Sequence, residues 1–85
     1  MTGECRLCGR RGFMHTHHVF GGSYRKLSDY YGATVTLCPE CHRYIHSAQG
    51  VEDKEQLQFE IQTELMDAYN WTIRDWLNIW NKSWL

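Results

Sequence analysis

Two Cys-x-x-Cys motifs constrain the fold of this chain more than any other feature of its sequence. They are Cys5-Arg-Leu-Cys8 and Cys38-Pro-Glu-Cys41, and 29 residues separate them. Each motif brings two thiols to one side of a turn, and two motifs supply the four ligands of a tetrahedral zinc site. The sequence therefore predicts a structural zinc site at Cys5, Cys8, Cys38 and Cys41. Two local disulfides or a redox-active pair are the alternatives, although the flanking pattern of a thioredoxin-like motif is missing.

A zinc site suits the size of the chain, because 85 residues form one small domain with a modest core. The sequence contains no apolar run near the ~20 residues that a membrane helix needs, and no recognisable signal peptide. We therefore expect a cytoplasmic protein that does not contact a membrane. Cysteine pairs in that compartment bind metals more often than they form disulfides.

Five histidines form a second pattern, which the thiol site does not use. His42 and His46 are four residues apart in a predicted helix, so both face the same side. His17 and His18 are adjacent, and adjacent residues of a regular strand point to opposite faces. We therefore expect one of this pair to bind a metal ion together with His42 and His46, and the other to remain free. His15 is a further candidate for this third ligand.

A metal ion beside a free imidazole is suited to the hydrolysis of phosphodiesters. The metal ion can stabilise the charge on the departing oxygen. A neutral histidine, with a reference pKa near 6.5, can take a proton from the attacking water at neutral pH.

Charge is distributed unevenly along the chain. Residues 1–50 carry six basic and three acidic side chains, a net charge of +3, whereas residues 51–85 carry three basic and seven acidic side chains, a net charge of −4. The basic part contains every cysteine and histidine. A polyanionic partner would suit it, but ordinary surface charge explains the same numbers.

Hydrophobic periodicity predicts the order of the elements. A zinc knuckle occupies residues 3–13, and a strand over residues 14–20 ends at Gly21-Gly22-Ser23. A polar loop over residues 23–33, with room for one turn of helix, leads to a second strand over residues 34–37. Pro39 suits the first turn of a helix that runs to about Ala48 and stops near Gly50.

The remaining residues predict two further helices. Leu57, Ile61, Leu65 and Tyr69 recur every fourth residue, which indicates an amphipathic helix over residues 53–70. Thr72 can cap a final helix that carries a tryptophan-rich stripe. At this spacing the stripe favours a core or oligomer contact over a base-stacking platform. Residues 51–85 are thus expected to form a helical extension that packs on residues 1–50 within a single domain.

The motifs in this order resemble the HNH endonucleases of the His-Me finger (ββα-metal) class, and are similar to the zinc-containing small phage type that includes the Ref-like recombination-enhancement nucleases. The resemblance covers residues 5–46, about half of the chain. The residues that carry it are Cys-x-x-Cys, His17-His18-Val19-Phe20-Gly21-Gly22, Arg25-Lys26-x-Ser28, Tyr31-Gly32 and Leu37-Cys-x-x-Cys-His-x-x-x-His.

The resemblance implies a small α+β fold, with a ββα-metal core stapled by a four-cysteine zinc site and followed by two C-terminal helices. It implies a DNA endonuclease of the bacterial host cytoplasm, if the chain is phage-encoded. His18 matches the general base of the class, and His17, His42 and His46 match the ligands of its catalytic divalent metal, which is Mg²⁺, Mn²⁺, Ni²⁺ or Zn²⁺. Three imidazoles favour a transition metal over Mg²⁺.

One residue of the HNH pattern is missing. Residues 19–37 contain no asparagine to hold the loop that orients the base, and Tyr24 stands where it is often found. Ser23, Ser28 or Asp29 can substitute for it. Arg25 and Arg43 are candidates for phosphate contacts, and a solvated surface position explains each of them equally well.

Two other functions remain open. The chain can be a non-catalytic zinc module that binds nucleic acid, or a phage or host protein through its acidic, tryptophan-rich C-terminal helices. It can also be a purely structural protein with two closed zinc sites. A fourth ligand, such as His15, beside His17, His42 and His46 would support that last interpretation.

Overall fold

A computed structural model describes residues 1–85 as four short strands, four helices and two 3-10 turns. Strands β1 (Thr2–Glu4) and β2 (Arg11–Phe13) form one antiparallel hairpin, and strands β3 (His15–His18) and β4 (Thr34–Leu37) form another. The helices are α1 (Arg25–Tyr31), α2 (Pro39–Ile45), α3 (Val51–Ala68) and α4 (Ile73–Trp80). The chain is a small α+β protein, and none of its helices has both the length and the apolar character needed to span a bilayer.

The predicted knuckle over residues 3–13 is the first hairpin. Its turn begins where the N–H of Cys5 donates to the carbonyl of Arg10 at 2.8 Å, and the N–H of Gly9 donates back to Cys5 at 2.9 Å. Gly9 has φ +78°, a left-handed conformation that glycine adopts without strain. The turn therefore places Cys5 and Cys8 together at the tip of the hairpin. The sequence pattern does not predict the two strands that flank this turn.

The predicted strand over residues 14–20 is shorter in the structure, where it comprises His15–His18, and the strand over residues 34–37 is confirmed. The loop prediction for residues 23–33 was wrong in extent, because the segment contains most of a 3-10 turn (Gly22–Tyr24) and all seven residues of α1. Tyr24 offers no side-chain cap at the start of this helix. The sequence therefore lacks the usual signal for its beginning.

Helix α2 begins at the second thiol motif. The Sγ atom of Cys38 accepts a hydrogen bond from the N–H of Cys41 at 3.4 Å, and Pro39 occupies the first turn. The second thiol motif therefore forms the N-terminal turn of α2. The position of the thiols thus fixes the direction of the helix.

Helix α2 ends at Ile45, earlier than the predicted Ala48. Its last turn lies against Gly50, where an added Cβ atom would come within 2.1 Å of the carbonyl oxygen of Tyr44. Only glycine permits this approach, which turns the chain sharply into α3. Tyr44 also donates its hydroxyl to the carboxylate of Asp53 at 2.7 Å, so α2 and α3 are tied together at this corner.

Helix α4 has the predicted cap. Thr72 Oγ1 accepts from the N–H of Asp75 at 3.2 Å, and the Asp75 carboxylate accepts from the N–H of Thr72 at 2.9 Å. The two reciprocal bonds form a capping box. Helix α3 occupies the predicted position to within about two residues at each end.

The tryptophans of the predicted stripe belong to the core or pack against it, whereas its aliphatic members Ile73 and Leu77 are exposed. Trp76 and Trp80 are fully buried and stack on each other with ring centroids 4.6 Å apart. Phe20, which follows β3, packs against Trp80 at 5.0 Å and against Trp84 at 4.4 Å. The stripe therefore joins α4 to the second hairpin. Because Trp76 and Trp80 are buried, a partner of the C-terminal helices would have to contact other residues.

Candidate metal centres and the histidine cleft

The four thiols form one cluster between the first hairpin and the start of α2. Their sulfur atoms all lie within 4.8 Å of one another, and the sulfurs of Cys8 and Cys38 are 3.9 Å apart. A tetrahedral site with Zn–S bonds of about 2.3 Å separates its sulfurs by about 3.8 Å. The cluster can therefore hold a metal ion such as zinc, with all four positions filled by protein.

Hydrogen bonds and an ion pair also hold the two halves of this cluster together. The N–H of Arg6 donates to the carbonyl of Thr36 at 2.9 Å, and the Thr36 hydroxyl donates to the carbonyl of Glu4 at 2.7 Å. Arg10 forms an ion pair with Glu40 at the start of α2. The first hairpin is thereby fastened to β4 and to α2 at several points around the sulfurs.

The protonation of the thiols fits metal binding. Burial is the largest single influence on Cys5 and opposes its ionisation, but hydrogen bonds from the backbone N–H groups of Cys8, Cys38 and Leu7 and from the Cys8 side chain together outweigh it and lower the pKa of Cys5 to about 6. Burial, together with the neighbouring sulfurs, raises the pKa of Cys41 well above its ordinary value. Without a metal ion, the cluster therefore keeps protons on some of its sulfurs, and a bound cation would displace them.

A second cluster consists of three imidazoles. His17 from β3 meets His42 and His46 from α2, and a ligand nitrogen of each ring lies within 4.8 Å of the others. The ring centroids of His17 are 5.3 Å from His42 and 5.2 Å from His46. The spacing of four residues does bring His42 and His46 to one face of α2, as the sequence predicts.

His17 shows the strongest sign of a missing partner. It is buried, and its Nε2 atom has no hydrogen-bond partner in the protein. Burial, followed by the neighbouring imidazoles of His42 and His46, lowers the pKa of His17 to about 4. The ring is therefore neutral at physiological pH, which is the form that binds metals. A metal ion among the three rings would supply the partner that this buried nitrogen lacks.

His15 is not a member of this cluster. Its Nδ1 atom lies 3.0 Å from the Nδ1 atom of His42, so it contacts His42 directly instead of joining the three convergent nitrogens. The rings of Phe13 and His15 pack perpendicular to each other with centroids 5.4 Å apart. The imidazole cluster thus presents three donors and no fourth, so a tetrahedral ion would keep one open position.

His18 lies beside the cluster with a different partner. Its Nε2 atom is 2.6 Å from the carboxylate of Asp29 in α1, and its Nδ1 atom has no hydrogen-bond partner in the protein. His18 is the last residue of β3, and it turns to Asp29 while His17 meets the imidazoles of α2, so the two adjacent histidines have different partners although both line one cleft.

The structure also shows what the suggested substitutes for the missing asparagine contact. Ser28 is fully buried and donates its hydroxyl to the carbonyl of Phe20 at 2.7 Å, which holds the segment that follows the histidine pair. Asp29, the next residue, contacts His18 directly. Tyr24 packs against Trp84 instead. Ser28 therefore fixes the segment that follows the histidine pair, while Asp29 fixes the imidazole of His18.

A cleft of about 280 Å³ opens over the imidazoles. It is lined by Thr16, His17, His18, Gly21, Gly22, Arg25, His42 and His46. Arg25 is exposed at the rim and pairs with no acidic side chain. Arg43 is exposed on α2 but does not line the cleft. The structure therefore brings one of the two candidate arginines to the histidine site.

Comparison of the chain with protein-family models, with curated proteins and with solved structures finds no match. The candidate function therefore depends on the geometry of the site.

Proposed function

We propose that this protein is a metal-dependent endonuclease of the HNH (His-Me finger, ββα-metal) type, which hydrolyses phosphodiester bonds in DNA. His18 would be its general base, and His17, His42 and His46 would hold a divalent metal ion. One observation carries the proposal. Three imidazoles converge on a single point, while a fourth, held by a carboxylate, lines the same cleft.

The order of the elements supports this assignment. The antiparallel hairpin β3–β4 is followed at once by α2, and the ligands come from the first strand and from the helix. This is the arrangement that the resemblance to the ββα-metal class implies. The thiol cluster lies at the start of the same helix, where a structural zinc ion would keep α2 in place against the hairpin.

The contacts of His18 suit a general base. When its Nε2–H donates to the carboxylate of Asp29, the lone pair of Nδ1 is left free to take a proton from water. Asp29 would hold the ring in this tautomer and stabilise the imidazolium that forms. Arg25 at the rim would contact a phosphate of the bound strand. A divalent metal ion, when bound, supplies stabilisation of the charge on the departing oxygen.

The number of donors argues against a closed second zinc site. Structural zinc sites are almost always filled by four protein ligands, as the thiol cluster can be. The imidazole cluster has only three, because His15 contacts Nδ1 of His42 and lies outside the cluster. A tetrahedral metal ion held by these three imidazoles would therefore have one position for a phosphate oxygen or for water.

The decisive test is relaxation of supercoiled plasmid by wild type and by His18→Ala, with zinc at the thiols and Mg²⁺, Mn²⁺ or Ni²⁺ added in turn. We expect metal-dependent nicking by wild type and a rate about 10²–10⁴-fold lower for His18→Ala, because positioned bases contribute on that scale. Calorimetry must show that both proteins bind the added metal equally. Equal rates for the two proteins under every metal would refute the proposal.

A second candidate is a zinc module that binds a partner without cleaving DNA. Arg6 pairs with Glu60 and Glu64, and Arg10 pairs with Glu40, which leaves few free positive charges for a DNA surface. The absence of nicking under any metal would favour this candidate, and the strength and salt dependence of DNA binding would then tell whether its partner is DNA or a protein.

A further inference from the structure

The contact between His15 and His42 has a chemical consequence for the imidazole cluster. The two Nδ1 atoms are 3.0 Å apart, which is a hydrogen-bond distance. A neutral imidazole carries its proton on only one nitrogen, so one of these two atoms must donate and the other must accept. The direction of this bond decides which tautomer His42 adopts.

Only one direction is compatible with metal binding. The Nδ1 atom of His42 contacts His15, and we therefore assign the metal ion to the other ring nitrogen of His42, Nε2. A ligand nitrogen must be unprotonated, and the proton of His42 must then be on Nδ1. His42 is therefore the donor in this bond, and His15 is the acceptor.

We propose that His15 is a positioning residue, which accepts the Nδ1–H of His42 and thereby fixes the tautomer and the ring orientation in which His42 Nε2 binds the metal. This inference rests on the imidazole metal site of the proposed function, but not on DNA cleavage. Metal-binding histidines usually donate their second nitrogen to a carboxylate, a carbonyl or water, and here the imidazole of His15 has that place.

The surroundings of His15 support a fixed acceptor. It is the first residue of β3, two positions before His17, so both side chains project from the same face of the strand toward α2. The ring is partly buried, and Phe13 packs against it edge-on at an interplanar angle of 89°. The backbone of β3 and the ring of Phe13 thus hold His15 beside His42 without using the metal.

The test is calorimetric titration of Ni²⁺ into protein that carries zinc at its thiols, for wild type, His15→Phe and His15→Asn. Phenylalanine keeps a ring but has no acceptor, whereas the side-chain oxygen of asparagine can reach the position of Nδ1. Partners of metal ligands contribute about 10–100-fold in affinity. We expect His15→Phe to bind Ni²⁺ more weakly by that factor, and His15→Asn to retain most of the wild-type affinity.

A second readout separates positioning from general packing. In metal-free protein, nitrogen-resolved spectra of the imidazoles should show His42 protonated at Nδ1 in wild type and in His15→Asn, but not predominantly so in His15→Phe. Equal Ni²⁺ affinity for wild type and His15→Phe, or equal losses in His15→Phe and His15→Asn, would overturn the inference. If wild type itself bound no Ni²⁺ at the imidazoles, the inference and the proposed function would both fail. If nicking depends on His18 while His15→Phe binds Ni²⁺ as tightly as wild type, the inference about His15 fails and the proposed function stands.

Discussion

The thiol cluster and the imidazole cluster share one helix, yet they differ in the number of their donors and in their access to solvent. Cys38 precedes α2 and Cys41 lies in its first turn, while His42 follows Cys41 directly and His46 is the residue that ends the helix. The thiols offer four donors and close their site with protein, whereas the imidazoles offer three donors and face a cleft. Under the proposed function, donor count and access, rather than location, would separate a site that holds the fold from one that is open for a reaction.

The two clusters also differ in what holds them when no metal is bound. Backbone hydrogen bonds and the Arg10–Glu40 ion pair surround the thiols, so several parts of the chain meet there. The imidazole cluster instead buries His17 with its Nε2 unpaired, which costs free energy in the absence of a metal ion. Loss of the thiol site should therefore unfold the protein, and loss of the imidazole site should not.

The largest effect is expected for Cys38→Ser. Cys38 is buried and caps α2, and structural zinc contributes about 10–16 kcal/mol of apparent binding free energy in small zinc domains. We expect this variant to lose both its zinc and its cooperative unfolding transition, as measured by circular dichroism and metal analysis. The matched variant His46→Ala should keep one zinc ion per chain and the folded spectrum. A folded, zinc-free Cys38→Ser would contradict the division between the two sites.

Asp29→Ala should have a smaller effect, confined to the open site. The carboxylate contacts His18 and none of the three clustered imidazoles, so its removal should slow nicking without weakening Ni²⁺ binding. We expect a rate about 10–100-fold lower, comparable with the loss of other orienting partners. Asp29→Asn retains an oxygen acceptor and should lie between this variant and wild type. A loss of metal affinity that accounts for the whole decrease in rate would assign Asp29 to the metal site instead.

The smallest effect concerns acid pH in protein with an empty imidazole site. The pKa of His17 is about 4 in the folded protein, mainly because the ring is buried, and about 6.5 in the unfolded chain. Below pH 6.5 the unfolded chain therefore binds a proton that the folded protein does not, and stability decreases as the pH falls toward 4. Between pH 7.5 and 5.5 this amounts to about 1.3 kcal/mol.

Urea unfolding at pH 7.5 and pH 5.5 measures this difference, with His17→Gln as the control. The variant should lose less stability than wild type over this interval, because glutamine does not titrate. Equal losses in the two proteins would mean that His17 ionises normally and is not held neutral by its surroundings.

The sequence predicts the two clusters better than the elements that connect them. A Cys-x-x-Cys turn and a helical spacing of four residues fix local geometry, so Cys5, Cys8, His42 and His46 could be placed from the sequence. Helix α1 could not be, because Tyr24 provides no cap and residues 25–31 show no apolar repeat. The contacts of Asp29 with His18 and of His15 with His42 depend on tertiary packing, and no local pattern indicates them.

The most direct test of the division between the sites is a metal count combined with activity on one sample. Protein loaded with zinc and Ni²⁺ is treated briefly with a chelator, and native mass spectrometry and plasmid nicking are measured before and after. We predict two metal ions before treatment and one zinc ion afterwards, with the fold intact, nicking abolished, and activity restored by Ni²⁺. A protein that retains nicking with one ion, or that unfolds when the first ion leaves, would contradict the account.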